Sequence, residues 1–179
     1  MYPRTSPRRT SGRGAPREIE LVKSAVGNTI PLMSLSAEQQ RLASSFPEIS
    51  WAIADQVCIY RPEGVLDSGK IGRLLAWLGE IETDRAQPFN RFTDLTKVHT
   101  IELEKLDLAN VALWRRTTYD GAIVKSAFLA QSNECRELAG VYAGFMEKSR
   151  IMVSVFHDIK EAAIWLRVPM NVLGEIPSP

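Results

Sequence analysis

The sequence predicts an α/β protein: a mainly parallel sheet of four to five strands with about four helices. Three observations carry that reading. From Trp51 onward, short β-branched or aromatic runs alternate with single helix-period segments, the order of βα units. The run AIVKSAFLA at 122–130 is almost continuously apolar, as suits a strand covered on both faces. Ser, Asp and Asn stand just ahead of the periodic stretches, where helix N-caps belong.

In chain order, Ser36 with Gln39 three residues on marks a short helix over 36–45. Trp51–Ala54 and Gln56–Arg61 read as two strands, the antiparallel edge of the sheet. Asp67-Ser68 opens a helix from about Gly69 to Thr83, with Ile71, Leu74, Leu75, Leu78 and Ile81 on one face. Gly72 and Gly79 weaken that helix and mark close packing against a sheet. A loop carrying Pro88 leads to a strand at Phe89–Leu95, and 96–100 reads as a connecting loop. Thr100 then N-caps a second helix running to about Tyr119. Ser132-Asn133 caps a third, with Cys135, Leu138, Ala139, Tyr142, Phe145 and Met146 in a stripe. Ile151–Phe156 is a strand, and the last helix carries Ile159, Ala162, Ala163 and Leu166 before Pro169 ends it.

The chain has 179 residues, room for one domain with extensions. Its 22 Lys+Arg and 21 Asp+Glu leave a net charge of +1, which excludes a globally basic nucleic-acid binder. That sum hides an asymmetry. Residues 1–17 hold five arginines and no acid, leaving 17 basic against 21 acidic groups in the rest. The expected organisation is a disordered basic extension over 1–32, a linker with a short helix over 33–49, one domain over 50–168 and a tail over 169–179. Contact with nucleic acid is expected only weakly, through the Arg-rich N-terminus. Met33 opens a second plausible protein start, which would leave 1–32 out of the expressed chain. No apolar run is long enough for a membrane span. Cys58 and Cys135 sit in apolar patterns and read as buried free thiols, compatible with the cytoplasm.

No nucleotide-binding or hydrolase fingerprint is present. The two histidines and two cysteines are scattered, so neither a metal nor another cofactor is expected, and catalysis is not expected. Asp94 and His99 flank one strand exit, where open α/β sheets bind ligands; as a catalytic dyad they carry no supporting pattern. Arg115-Arg116 near a helix C-terminus suits the helix dipole.

The closing segment Val155-Phe156-His157-Asp158-Ile159-Lys160-Glu161-Ala162-Ala163-Ile164-Trp165-Leu166 reads V-F-x-D-x-x-E-A-x-x-W-L. With the stretches Ile59–Asp67, Arg91–Leu95 and Val124–Ala130 followed by Arg136-Glu137-Leu138-Ala139, it resembles the SpoIIAA-like branch of the STAS superfamily, the anti-sigma-factor-antagonist-like domains, over roughly residues 50–168. The resemblance implies a non-catalytic protein-interaction module, regulatory in kind. Phosphorylatable members carry an Asp-Ser-Ser-Gly-like turn where the third strand meets the second helix. Here that position reads Asp94-Leu95-Thr96-Lys97-Val98-His99-Thr100, without Ser or Gly, which puts the known switch in doubt. Thr96 and Thr100 are the nearest phosphoacceptors, and a turn residue and an N-cap are their plainer roles. The implied partner-binding loop comprises Asp94, Thr96, His99 and Thr100. Comparison of that branch with CRAL-TRIO-like domains implies a second function, the carrying of an apolar small molecule or lipid. Leu106, Val111, Leu113 and Trp114 on the broadly apolar second helix are the candidate pocket or interface, equally compatible with ordinary packing or a homodimer face. A filled interior beneath that helix favours the interaction module; an enclosed apolar cavity of roughly a few hundred cubic ångströms favours the carrier.

Overall fold

A computed structural model of the chain describes residues 46–52, 56–84 and 87–174. The N-terminal extension, the helix at 36–45, the second half of the first expected strand and the end of the C-terminal tail lie outside them.

The elements are β1 (Ile49–Ala52), β2 (Val57–Tyr60), β3 (Gly64–Asp67), α1 (Ser68–Asp84), β4 (Asn90–Asp94), β5 (Val98–Glu102), α2 (Lys105–Thr118), β6 (Val124–Leu129), α3 (Asn133–Phe145), β7 (Ile151–Phe156), α4 (Ile159–Leu166) and α5 (Met170–Leu173). The main sheet has the order β1-β2-β4-β6-β7. β1 pairs antiparallel with β2, and the β2–β4, β4–β6 and β6–β7 pairs are parallel. The mainly parallel sheet with one antiparallel edge is therefore present.

Alternation along the strands divides the core. Val57, Ile59, Phe92, Ala127 and Leu129 face α4 and α5, against Ala162, Ala163, Leu166 and Leu173. Cys58 and Tyr60 point the other way, onto Trp77, Leu78 and Ile81 of α1. Leu95, Val98 and Ala130 pack on Cys135 and Ala139 of α3. Both cysteines are buried and neither is in a disulfide.

Three local readings are corrected. The expected loop at 96–100 enters a strand, β5, which pairs parallel with β3 in a separate two-stranded ribbon. The sequence signal is weak because only one side of each strand is covered: Leu66 and Val98 are buried while Val65, His99 and Thr100 are exposed. Gly64, at φ +72°, makes the turn into β3, a conformation that costs glycine nothing. Thr100 caps no helix. α2 starts later, at Glu104, whose side chain accepts from the Asp107 amide while Asp107 Oδ2 accepts from the Glu104 amide at 2.8 Å, a reciprocal cap. The segment after Pro169 forms one more helical turn, α5, with Leu173 in the core. Arg61 Nη2 donates to the carbonyls of Leu173 and Gly174, both at 2.8 Å, and holds that turn.

The other caps lie where the sequence puts them. Asp67 Oδ1 accepts from the Lys70 amide at 2.7 Å, Ser132 Oγ from the Cys135 amide at 3.1 Å, and Asp158 Oδ1 from the Lys160 amide at 2.9 Å. The glycines of α1 do not pack on a sheet. A Cβ on Gly72 would meet nothing within 4 Å, and one on Gly79 would sit 3.7 Å from the Trp114 ring of α2. Gly72 is exposed in mid-helix, so Gly72→Ala should stabilise the protein by about 0.5–1 kcal/mol through backbone entropy, read as a higher urea midpoint with unchanged slope.

Burial also raises the phenols of Tyr60 and Tyr142 above their ordinary value of 10.0. Both phenols are neutral in either state at neutral pH. Above pH 10 the unfolded chain loses their protons first, so unfolding releases protons and stability falls as pH rises further. The thermal midpoint should decline steeply above about pH 10, and Tyr60→Phe should make that decline shallower.

Candidate functional site

The predicted loop residues fall into two settings. Asp94 ends β4, and its carboxylate is engaged: Oδ1 accepts from the Thr96 amide at 3.0 Å and the Thr96 hydroxyl at 2.7 Å, while Oδ2 faces Arg61 Nε at 3.8 Å. Asp94 and Thr96 thus form a side-chain-closed turn, tied through Arg61 to α5. His99 and Thr100 are exposed on β5. They line an open groove of about 490 Å³ shared with Leu103 and Lys105 and with Glu134, Glu137 and Val141 of α3.

The quartet named on α2 divides as well. Leu106 and Leu113, 67% and 62% exposed, face outward one heptad apart, and Trp114 is 36% exposed. Val111 turns inward and lines a cavity of about 100 Å³ beneath α2. Leu74 and Leu78 of α1, Leu108 of α2 and Phe128 of β6 make up much of its apolar wall.

Three charged residues gather at this cavity. Arg91 of β4 is 7% exposed and Arg115 of α2 is 2% exposed, and both line it. Glu82 of α1 stands between them. Its Oε2 accepts from Arg115 Nη1 at 2.8 Å and its Oε1 from Arg115 Nη2 at 2.7 Å. Oε1 also accepts from Arg91 Nη2. Aromatic faces complete the surroundings: the Arg91 guanidinium lies 5.1 Å from the Phe89 ring centroid and 5.2 Å from that of Tyr119. Such contacts favour a desolvated cation. Two cations share one carboxylate, so the cluster carries a net positive charge inside the protein.

No family model matches the chain, and no curated protein matches it. It is similar to the crystal structure of an uncharacterized protein from the DUF3478 family with a SpoIIAA-like fold, from Shewanella loihica PV-4. The two are 16% identical, with 66% of this chain and 90% of that chain covered and a TM-score of 0.47. The description of the fold and the roles of residues rest on this chain's own geometry.

Sequence reasoning missed the buried cluster. Arg115 passes in the sequence for a dipole-facing residue, yet it lies seven residues after Leu108 and three after Ala112, on the buried stripe of α2. Arg91 alternates with Thr93 on the same strand face, a polar pair where the pattern calls for apolar residues. The neighbouring Arg116 does act at a helix end, donating to the Phe145 carbonyl at 3.2 Å, but the helix is α3. Among the described residues, no group of three or more His, Cys, Asp or Glu is placed to hold a metal. No helix there is long and apolar enough to cross a membrane.

Proposed function

We propose that this chain is a non-catalytic binding domain that docks a protein partner through the outer face of α2, with the neighbouring β4–β5 turn and β5 as the rim. The observation that carries this reading is the exposure of Leu106 and Leu113 on a helix whose opposite face is anchored by Leu108, Ala112 and Arg115. Two leucines on one exposed helix face, with Trp114 at its edge against α1, are an apolar surface that a partner would remove from water. His99 and Thr100 supply polar groups on the groove that β5 shares with α3, and Thr100, exposed, is the more accessible phosphoacceptor, since the Thr96 hydroxyl is spent on Asp94. Two buried cysteines outside any disulfide suit a reducing compartment, the cytoplasm.

A photo-crosslinking amino acid at position 113 tests this in the producing cell, with one at the equally exposed Ile164 of α4 as control. A discrete adduct from position 113 that disappears with Leu106→Asp supports the reading. An adduct of twice the chain's mass assigns the face to a homodimer instead, and equal labelling from both positions removes the reading.

The apolar cavity under α2 supports a second reading, a domain that holds a small apolar molecule. Its volume of about 100 Å³ is below the roughly few hundred cubic ångströms that a carrier calls for and below the ~150 Å³ of a protein cavity that admits benzene, so a lipid chain does not fit and the interaction module is favoured.

A further inference from the structure

We infer that the chain pairs with a second copy of itself through the outer edge of β7, the two strands running antiparallel about a two-fold axis at Ser154. This surface is separate from the outer face of α2, and the inference stands independently of the docking reading. β7 closes the main sheet, and among the described residues its ladder runs to β6 alone. The direction of its backbone groups follows from the bonds at its two ends. The Val124 amide donates to the Arg150 carbonyl at 3.0 Å, and the Ala130 amide to the Phe156 carbonyl at 2.9 Å. Alternate residues of a strand turn their backbone groups to opposite sides. Met152 and Ser154 therefore also face β6, while Ile151, Val153 and Val155 face outward. One of those three is already closed: Ser149 Oγ accepts from the Ile151 amide at 3.1 Å and donates to the Ile151 carbonyl at 2.7 Å. No bond to the outward groups of Val153 or Val155 occurs among the described residues.

Natural sheet edges are guarded by lysine, proline, a bulge or an inward charge. β7 has none of these. Its run is IMVSVF, in unbroken register with β6, and Met152 is 48% exposed. The charges at its ends select a second copy as the occupant. Arg150 precedes the run and Asp158 follows it by one residue, and both are exposed. An antiparallel copy brings Arg150 to the end where the partner's Asp158 stands, and sets Met152 beside the partner's Phe156. Asp158 caps α4 through Oδ1 and Arg150 Nη1 donates to the Gly121 carbonyl at 3.2 Å, which leaves Oδ2 and Nη2 for the contact. The register follows from the open groups. With the axis at Ser154, Val153 meets the partner's Val155 and Val155 the partner's Val153, each couple exchanging both N–H···O bonds. Moving the axis by one residue sets a valine against Ile151, which Ser149 closes, or against His157, beyond the end of the strand. The two five-stranded sheets then become one.

Sedimentation velocity on the full chain should show a dimer that dissociates on dilution, with a dissociation constant in the micromolar range. Val153→Pro removes an outward amide and leaves the ladder to β6 intact, as proline can on an edge. It should weaken the dimer about thirtyfold, the size of the two hydrogen bonds lost across the axis. Ser154→Cys places two thiols on strands whose Cα atoms are about 4.5 Å apart at such a pair, within disulfide reach. With oxidised glutathione it should give a covalent dimer, whereas Leu113→Cys should not. A wild-type chain that stays monomeric at about 100 μM overturns the inference, and so does a dimer that Val153→Pro leaves intact. Linkage from position 113 and not from 154 also overturns it, by moving the dimer to the outer face of α2. The comparison of the two cysteine variants decides the matter even if Val153→Pro does not fold.

Discussion

Replacing Glu82 with Gln should lower the unfolding free energy by about 3–5 kcal/mol, the usual cost of removing one partner from a buried ion cluster. The carboxylate lies between two guanidiniums, one of them 2% exposed. Gln keeps the shape but removes the charge, and its amide NH₂ then faces N–H donors. Two cations are left near each other with little water to screen them. The check is urea denaturation: a lower midpoint at unchanged slope locates the loss in the native state. Replacing the whole cluster by apolar side chains, with Glu82→Leu, Arg91→Met and Arg115→Met together, should cost less than the single change, because no charge is then stranded. That ordering would show that the cluster is not there for stability. A loss below about 1 kcal/mol for Glu82→Gln would mean that water reaches the cluster.

Phe92→Ala should cost about 3–5 kcal/mol. Phe92 has no exposed surface and sits in β4, between β2 and β6. Its cluster includes Val57, Ile59, Ala127 and Leu166, which join the sheet to α4. The strands on both sides are held in register by the ladder and cannot close the void. Differential scanning calorimetry against Leu113→Ala makes the comparison informative. Leu113 is 62% exposed, so its truncation should change stability by no more than about 0.5 kcal/mol. If the two variants melted together, the division between core and docking face would be wrong.

The small-molecule and protein-docking readings meet on one helix. α2 presents Val111 and Arg115 to the cavity and Leu106 and Leu113 to the outside.

By itself the sequence determined the elements whose patterns are local. The apolar stripe of α1, the doubly covered run of β6 and the caps at Asp67, Ser132 and Asp158 all follow from spacing and side-chain chemistry within a few residues. The parallel sheet followed from their alternation. The tertiary structure alone decided three things. Strand β5 forms because β3 lies beside it, and the bonds that define it come from a segment more than thirty residues earlier. The final turn of helix, α5, is anchored by Arg61, more than a hundred residues before it. The charged cluster joins α1, β4 and α2, so no window of sequence contains it. An arginine at a helix end looks the same in sequence whether it faces water or a buried carboxylate. Only packing, by removing water from Arg91 and Arg115, turns two ordinary residues into a buried ion cluster with Glu82.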